Sequence, residues 1–294
     1  MKSNFNDSLA LYIEKLLSSK DYYQEYQYGL IDSTQFYEAV LADESITGVI
    51  GSIIKENAKL NTLLHDEDKM PTEAIVAYLA ENNMIPSHEH KYDGFNEYRQ
   101  FIYENYNHSG YYTSVHPEDE YLLYAISAIM QPKNAFIAGS YFGYFAVWAM
   151  NTISKNGGIC VLSDIDRRAC ALAKENFKRL GFESSSKIMC EDAVKLLLAQ
   201  EEPIDLLLID AVGDWNDRRP DYRGKQIYVP MLKAASHALV KGSTIVMHNI
   251  RPGRSRMGWG GMIDMDSLYS VLDSINAVGM AYDSYNGIGV YIVG

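Results

Sequence analysis

The stretch Asn134-Ala135-Phe136-Ile137-Ala138-Gly139-Ser140-Tyr141-Phe142-Gly143-Tyr144 decides the fold. A short, mostly apolar strand, Asn134–Ala138, runs into a turn with glycines four apart, and an apolar helical pattern follows over Tyr144–Ser154. Glycine there lets a ligand approach the main chain, and the amino end of the helix favours a negative group. The alternation repeats outward: strand Ile159–Ser163, helix Arg167–Leu180, strand Lys187–Cys190, helix Ala193–Gln200 and strand Ile204–Asp210. After a polar insertion come helix Gln226–Leu239, strand Thr244–Asn249, helix Asp266–Asn276, and a final pair, Met280–Asp283 and Gly287–Val293. Upstream, Pro117-Glu118-Asp119 opens a helix through Met130. Strands alternating with helices imply a parallel sheet covered on both faces. Only Ser284, Tyr285 and Asn286 separate the last two strands, too few for a crossover, so these pair antiparallel.

Residues 1–112 read differently. Leu9, Tyr12, Ile13, Leu16 and Leu17, and again Ile46, Val49, Ile50, Ile53 and Ile54, recur at three and four, and Pro71-Thr72-Glu73 opens a helix over Ala74–Asn82. The segment is rich in Tyr and reads as helical packing or as a cap laying rings over a small-molecule site. His88-Glu89-His90 fits a polar loop better than a metal pair. The 294 residues carry 26 Lys and Arg against 38 Asp and Glu, a net charge of −12. That balance argues against a general nucleic-acid partner. Residues 1–112 account for most of the charge, so an anion would be handled by the remainder. Cys160, Cys170 and Cys190 have no CxxC spacing and suit a reducing compartment. No long apolar run suggests a membrane span, and the start does not resemble a signal peptide, so a cytoplasmic location is expected.

In open parallel sheets, ligands sit beyond the carboxyl ends of the strands, where the strand order reverses. Five such ends carry suggestive residues. The glycine turn offers Ala138, Gly139, Ser140, Gly143 and Tyr144. The next strand ends at Asp164, followed by Ile165 and Asp166; an acid there can accept both ribose hydroxyls, whereas Asp166 suits a helix N-cap. Glu191-Asp192-Ala193 offers an acid for an adenine amino group. Leu206–Ile209 is an apolar strand leading into Asp210 and Ala211, and Val246-Met247 leads into His248 and Asn249.

From about Thr113 to Gly294 the chain resembles class I S-adenosylmethionine-dependent methyltransferases, and within them the catechol and caffeoyl-CoA O-methyltransferase group. The glycine motif at Phe136–Tyr144, the ribose acid in Leu162–Asp166, the adenine acid in Glu191-Asp192-Ala193, the fourth motif at Leu208–Ala211 and the closing hairpin at Tyr282–Val290 carry the likeness. It implies an α/β, Rossmann-like seven-stranded methyltransferase sheet with an antiparallel C-terminal hairpin. A helical cap or dimerisation region, residues 1–112, precedes a cofactor-binding domain, residues 113–294; a homodimer would suit the second role. It implies S-adenosylmethionine as cofactor, bound by Ala138, Gly139, Ser140, Gly143, Tyr144, Asp164, Ile165, Asp192, Ala193 and Asp210. The nearest competitor is a nicotinamide dehydrogenase, whose pyrophosphate needs the closer GxGxxG turn.

One departure matters. Metal-dependent members of the group hold magnesium with an Asp at the fourth strand and an Asp-Asn pair at the fifth. Asp210 and Asn249 match, but His248 stands in place of the second Asp, and magnesium prefers oxygen ligands. His248 is then a general base in a metal-free site, or a ligand with Asp210 and Asn249 to a softer ion such as iron or manganese, or a neutral wall residue. The first is the favoured reading. The group's catalytic Lys just after the fourth-strand Asp is also missing, since Val212-Gly213-Asp214-Trp215 stands there. Two Arg-bearing loops flank the site, and Arg251, Arg254 and Trp215 are candidates for contacting an anionic small-molecule substrate. The expected reaction is O- or N-methyl transfer. Aminocarboxypropyl transfer, azetidine-type cyclisation releasing methylthioadenosine, and cofactor binding without catalysis remain as alternatives.

Overall fold

The computed structural model describes residues 19–27, 30–31, 35, 39, 42–45, 71–86, 92–111, 113, 115–250, 263–282 and 287–294. The expected helices over Leu9–Leu17 and Ile46–Ile54, the loop His88–His90 and the substrate candidates Arg251 and Arg254 lie outside the described residues. The chain divides into two compact units. One comprises Met1–Lys69 with Asp214–Arg219, the other Met70–Gly213 with Pro220–Gly294. In the first, helix α1 (Asp21–Gln27) lies beside a local cluster in which Asp43 pairs with Lys20 at 2.8 Å and accepts the Tyr22 hydroxyl at 3.0 Å.

The second unit is built on seven strands: β1 (Asn134–Ala138), β2 (Ile159–Asp164), β3 (Ser186–Cys190), β4 (Ile204–Ile209), β5 (Leu239–His248), β6 (Ala277–Tyr282) and β7 (Ile288–Val293). Their order in the sheet is β3-β2-β1-β4-β5-β7-β6. The first five run parallel, and β7 lies antiparallel to both β5 and β6. This is the seven-stranded α/β sheet with an antiparallel closing hairpin that the sequence resemblance implies. The period of two in the strands splits the interior into two cores. Phe136, Ala138, Leu207, Ile209, Ile245 and Met247 face one; Ala135, Ile137, Leu206, Leu208 and Val246 face the other.

The helices of this unit are α2 (Pro71–Glu81), α3 (Phe95–Asn105), α4 (Pro117–Met130), α5 (Tyr144–Lys155), α6 (Arg167–Arg179), α7 (Ala193–Leu198), α8 (Tyr228–Ala235) and α9 (Met265–Ser274). Helices α2 to α6 contribute Ile75, Leu79, Ile102, Leu122, Trp148 and Phe177 to the first-strand face that carries Ile137. Helices α7 to α9 contribute Leu197, Leu232 and Leu268 to the opposite face. The unit containing the sheet therefore starts at Met70, so α2 and α3 pack into its core although they precede residue 112. Helix starts follow local chemistry. Asp166, Asp192 and Asp264 cap α6, α7 and α9 by accepting first-turn amide hydrogens. Pro117 opens α4, where Asp119 accepts the His116 N–H at 3.0 Å.

The largest departures from the boundaries read in the sequence lie at α8, β5 and β6. Helix α8 is shorter than Gln226–Leu239, because a 3₁₀ turn occupies Lys225–Ile227 and Leu239 already belongs to β5. Strand β6 begins at Ala277 rather than Met280. Gly279 sits inside it, where a Cβ would meet the Val290 carbonyl of β7. Among the described residues no helix is long and apolar enough to cross a membrane.

Candidate active site

The order reverses beside β1, whose neighbours are β2 and β4. At this switch point Gly139 takes φ +80°, and a Cβ on it would fall on the backbone of Ala211 at the exit of β4. The turn is tied to its neighbours. The Gly139 and Ser140 amides both donate to the Ser163 carbonyl, at 3.0 and 2.9 Å, and the Asp210 amide donates to the Ala138 carbonyl at 3.0 Å. Gly143, at φ +91°, leads directly into α5, where a Cβ would press on the Phe177 ring. The Ser140 hydroxyl is buried and has no hydrogen-bond partner among the described residues. A buried, unpaired hydroxyl is costly, which marks it as a seat for a polar group of a ligand.

At the exit of β2, Asp164 accepts the Tyr141 N–H at 2.7 Å and the Asp166 N–H at 2.9 Å. Burial raises its carboxyl above the usual range, and these amide donors offset part of the rise. Each carboxylate oxygen still has a lone pair for a ligand hydroxyl. Ile165 beside it is 71% exposed, an apolar side chain open at the strand end. Asp192 caps α7 through the Val194 N–H at 2.7 Å, and Ala193 is buried behind it. Tyr144 is buried, and its hydroxyl donates to Glu120 Oε1 at 2.7 Å. Glu120 also accepts the Tyr103 hydroxyl at 2.9 Å and Arg99 Nε at 3.2 Å. Trp215 belongs to Asp214–Arg219, which groups with the first unit.

The exits of β4 and β5 meet in a charged network. His248 is fully buried, with Nδ1 3.1 Å from Asp210 Oδ2 and Nε2 3.3 Å from Asp119 Oδ2. Its ring stacks on Phe145 at 5.1 Å. Lys225 Nζ donates to Asp210 Oδ1 at 2.7 Å and to the Tyr228 hydroxyl at 2.8 Å; that hydroxyl donates to the His248 carbonyl at 2.9 Å. Burial alone would lower the imidazole pKa, but the two carboxylates, Asp210 foremost, raise it to about 9. Burial likewise works against the Asp210 anion, yet Lys225 and then His248 hold that carboxyl down at about 2. Burial pulls the Lys225 ammonium below its ordinary value, with Asp210 countering. Asp210, 19% exposed, is the member of this network with an open face. Asn249 follows at φ +59°, a left-handed turn that Asn tolerates.

Of the residues expected at the site, Asp210, His248 and Asn249 lie together at the exits of β4 and β5, and Ala138, Gly139, Ser140 and Gly143 lie beside them. Asp119 and Lys225 were not read as site residues from the sequence. Asp119 stands 129 positions from His248 and reads as a helix opening. Lys225 stands 15 positions beyond Asp210, on the far side of the polar insertion. The signal for a hidden carboxylate was His248 itself, a polar ring directly after the apolar run Ile245-Val246-Met247. The geometry leaves a base role at His248 without a route, because both ring nitrogens face carboxylates and no surface is open to a substrate proton. A hard divalent ion does not fit the donor set either. Both Asp210 oxygens hold N–H donors from cationic side chains, and both His248 nitrogens are turned to carboxylates.

Three solved structures are among those similar to this chain. The O-methyltransferase from Bacillus cereus, in complex with SAH, is 16% identical with a TM-score of 0.49, over 75% of this chain and 97% of that one. A methyltransferase from Geobacter sulfurreducens is 18% identical with a TM-score of 0.49, over 76% and 96%. The O-methyltransferase TomG from Streptomyces achromogenes, involved in tomaymycin synthesis and in complex with SAM, is 14% identical with a TM-score of 0.47, over 75% and 96%. No curated protein sequence matches the chain. The sequence model of the O-methyltransferase family matches residues 86–236, just over half the chain, from the helices before the sheet through α8. On that match the chain belongs to the O-methyltransferase family.

Proposed function

We propose that this protein transfers the methyl group of S-adenosylmethionine to an oxygen or nitrogen of a small molecule, without a metal ion. The observation that carries the reading is the meeting, at one switch point, of the Gly139–Gly143 turn, the Asp164 carboxylate and the partly open Asp210. Bound there, S-adenosylmethionine supplies a methyl group on a positively charged sulfur, open to in-line displacement. Asp164 accepts the ribose hydroxyls, Ile165 lies against the adenine, and Asp192 accepts the adenine amino group. The buried Ser140 hydroxyl finds its partner in the cofactor's polar end. Asp210 accepts the hydrogen bond of the acceptor's O–H or N–H and aligns the nucleophile; as the new bond to the methyl carbon forms and the carbon–sulfur bond breaks, S-adenosylhomocysteine leaves and the acceptor's proton passes along the open face of Asp210 to water. Alignment alone supplies up to roughly 7–11 kcal/mol in ideal cases.

His248 is proposed as a positioning residue that fixes Asp210, in place of the general base expected from the sequence. Arg251, Arg254 and Trp215 remain proposed contacts for an anionic acceptor. The cap or dimerisation role expected of residues 1–112 is proposed for residues 1–69, because α2 and α3 belong to the sheet's own core. Incubating the purified protein with S-adenosylmethionine and host small-molecule extract, with mass spectrometry of the products, tests the reading. S-adenosylhomocysteine with an acceptor heavier by one methylene supports it. Methylthioadenosine would replace it with aminocarboxypropyl transfer or cyclisation, and neither product would leave a binding protein.

A further inference from the structure

A buried carboxylate, Asp119, and a partly open one, Asp210, meet two buried cationic side chains, His248 and Lys225, in one chain of contacts: Asp119 to His248 at 3.3 Å, His248 to Asp210 at 3.1 Å, Asp210 to Lys225 at 2.7 Å. With both cations charged, the cluster is neutral as a whole. Lys225 reaches its place by a specific piece of chain geometry. Gly213 and Gly224 pair across the base of the insertion, N–H to carbonyl in both directions at 2.9 and 3.1 Å. That bridge returns the chain to the exit of β4 and delivers Lys225 onto Asp210. Gly213 admits no side chain, because a Cβ would strike the Tyr222 carbonyl. Tyr228, the first residue of α8, takes a second N–H of Lys225 and ties the ammonium to the His248 backbone.

We propose that Lys225 is a positioning residue that, together with His248, takes the electrostatic place of a divalent cation at Asp210 and closes that carboxylate to metal ions. The inference rests on the methyltransferase reading only for its catalytic meaning; the closure of the seat stands on the geometry. A magnesium-sized ion sits about 2.0–2.1 Å from its oxygens, inside the space the Lys225 ammonium holds on Oδ1. It would also lie beside two positive groups in a buried setting, where like charges repel strongly. Lys225 is 4% exposed and anchored by two hydrogen bonds, so leaving Asp210 would strand a buried ammonium.

The test uses Mn²⁺ followed by electron paramagnetic resonance on the full chain, without any acceptor. Wild-type protein is expected to retain no Mn²⁺ at submillimolar concentration. The double variant Lys225→Met with His248→Asp, which removes both cations and adds an oxygen donor, is expected to gain one ion per chain and to lose it again with Asp210→Asn. One ion per wild-type chain, removed by Asp210→Asn, would overturn the proposal, and so would a folded double variant that binds none. If the double variant does not fold, Lys225→Met alone serves: it frees Asp210 Oδ1 and should hold Mn²⁺ more tightly than wild type, and equal affinity would overturn the proposal. Positioning has its own readout in the nitrogen resonances of His248, which faces Asp119 from α4, Asp210 from β4 and the Phe145 ring from α5, with His116 nearby. Lys225→Met should move the His248 titration upward, since Asp210 then serves one cation, and Lys225→Arg should restore it. An unchanged titration in Lys225→Met would refute the coupling. None of these readouts involves methyl transfer, so the function can fail while the proposal stands, and the reverse.

Discussion

Replacing Asp119 by asparagine should flatten the pH dependence of stability, with the largest loss at the acid end. His248 has its pKa raised from 6.5 to about 9 in the folded protein by Asp210 and Asp119 acting against burial. A raised folded value means the folded state holds a proton that the unfolded chain releases. The resulting stabilisation is complete below the unfolded value and fades as pH rises through about 9. At about 1.4 kcal/mol per pKa unit, the network contributes about 3 kcal/mol at acid to neutral pH. In Asp119→Asn the side-chain amide oxygen would still accept the His116 N–H, so the start of α4 is kept, but one of the two carboxylates holding the imidazolium is lost. Urea unfolding followed by circular dichroism at a series of pH values measures this. Wild type should lose about 3 kcal/mol between about pH 6 and about pH 9.5, and Asp119→Asn less than half of that, the two curves converging at the alkaline end. A gap between the two proteins that is constant across this range would refute the reasoning.

Asp164→Ala should weaken S-adenosylhomocysteine binding by ~1.5–3 kcal/mol in calorimetry, because two ribose hydroxyls lose a charged acceptor. Tyr144→Phe removes a donor from the buried Glu120 carboxylate and should lower unfolding free energy by ~1–3 kcal/mol, read from urea midpoints. Gly139→Ala forces a side chain into a φ of +80° against the Ala211 backbone and should lower the melting temperature sharply; calorimetric scanning would show it. Gly213→Ala should loosen the bridge that delivers Lys225, and the His248 nitrogen resonances should then titrate as they do in Lys225→Met.

The sheet was legible in the sequence because its central strands, β1 and β4, are buried on both faces. Ala135–Ala138 and Leu206–Ile209 are apolar without interruption, and polar or glycine residues mark where each strand stops. The closing pair was legible from the shortness of its connection alone. The starts of β5 and β6 were not. Gly242 takes φ +89° inside β5, in the stretch where the register with β4 shifts, and Gly279 sits inside β6 for a reason that only β7 supplies. The site was legible as far as each strand carried its own residue to its own exit, as with Asp164, Asp210, His248 and Asn249. It was not legible where distant elements supply the partner. Nothing local marks Asp119 as more than a helix opener, and Lys225 depends on the Gly213 and Gly224 bridge across the insertion. With Asp119 and Asp210 on its two ring nitrogens, His248 faces a carboxylate on each side, an arrangement that its own neighbours in sequence could not announce.

Methyl transfer from methyl-labelled S-adenosylmethionine in excess EDTA, with wild-type protein and Asp210→Asn side by side, tests the central claim most directly. The account predicts label in a small-molecule product at an undiminished rate in EDTA, with S-adenosylhomocysteine in equal amount, and a large loss of rate in Asp210→Asn. Loss of wild-type transfer in EDTA with recovery on adding a divalent ion, or full transfer by Asp210→Asn, would contradict it.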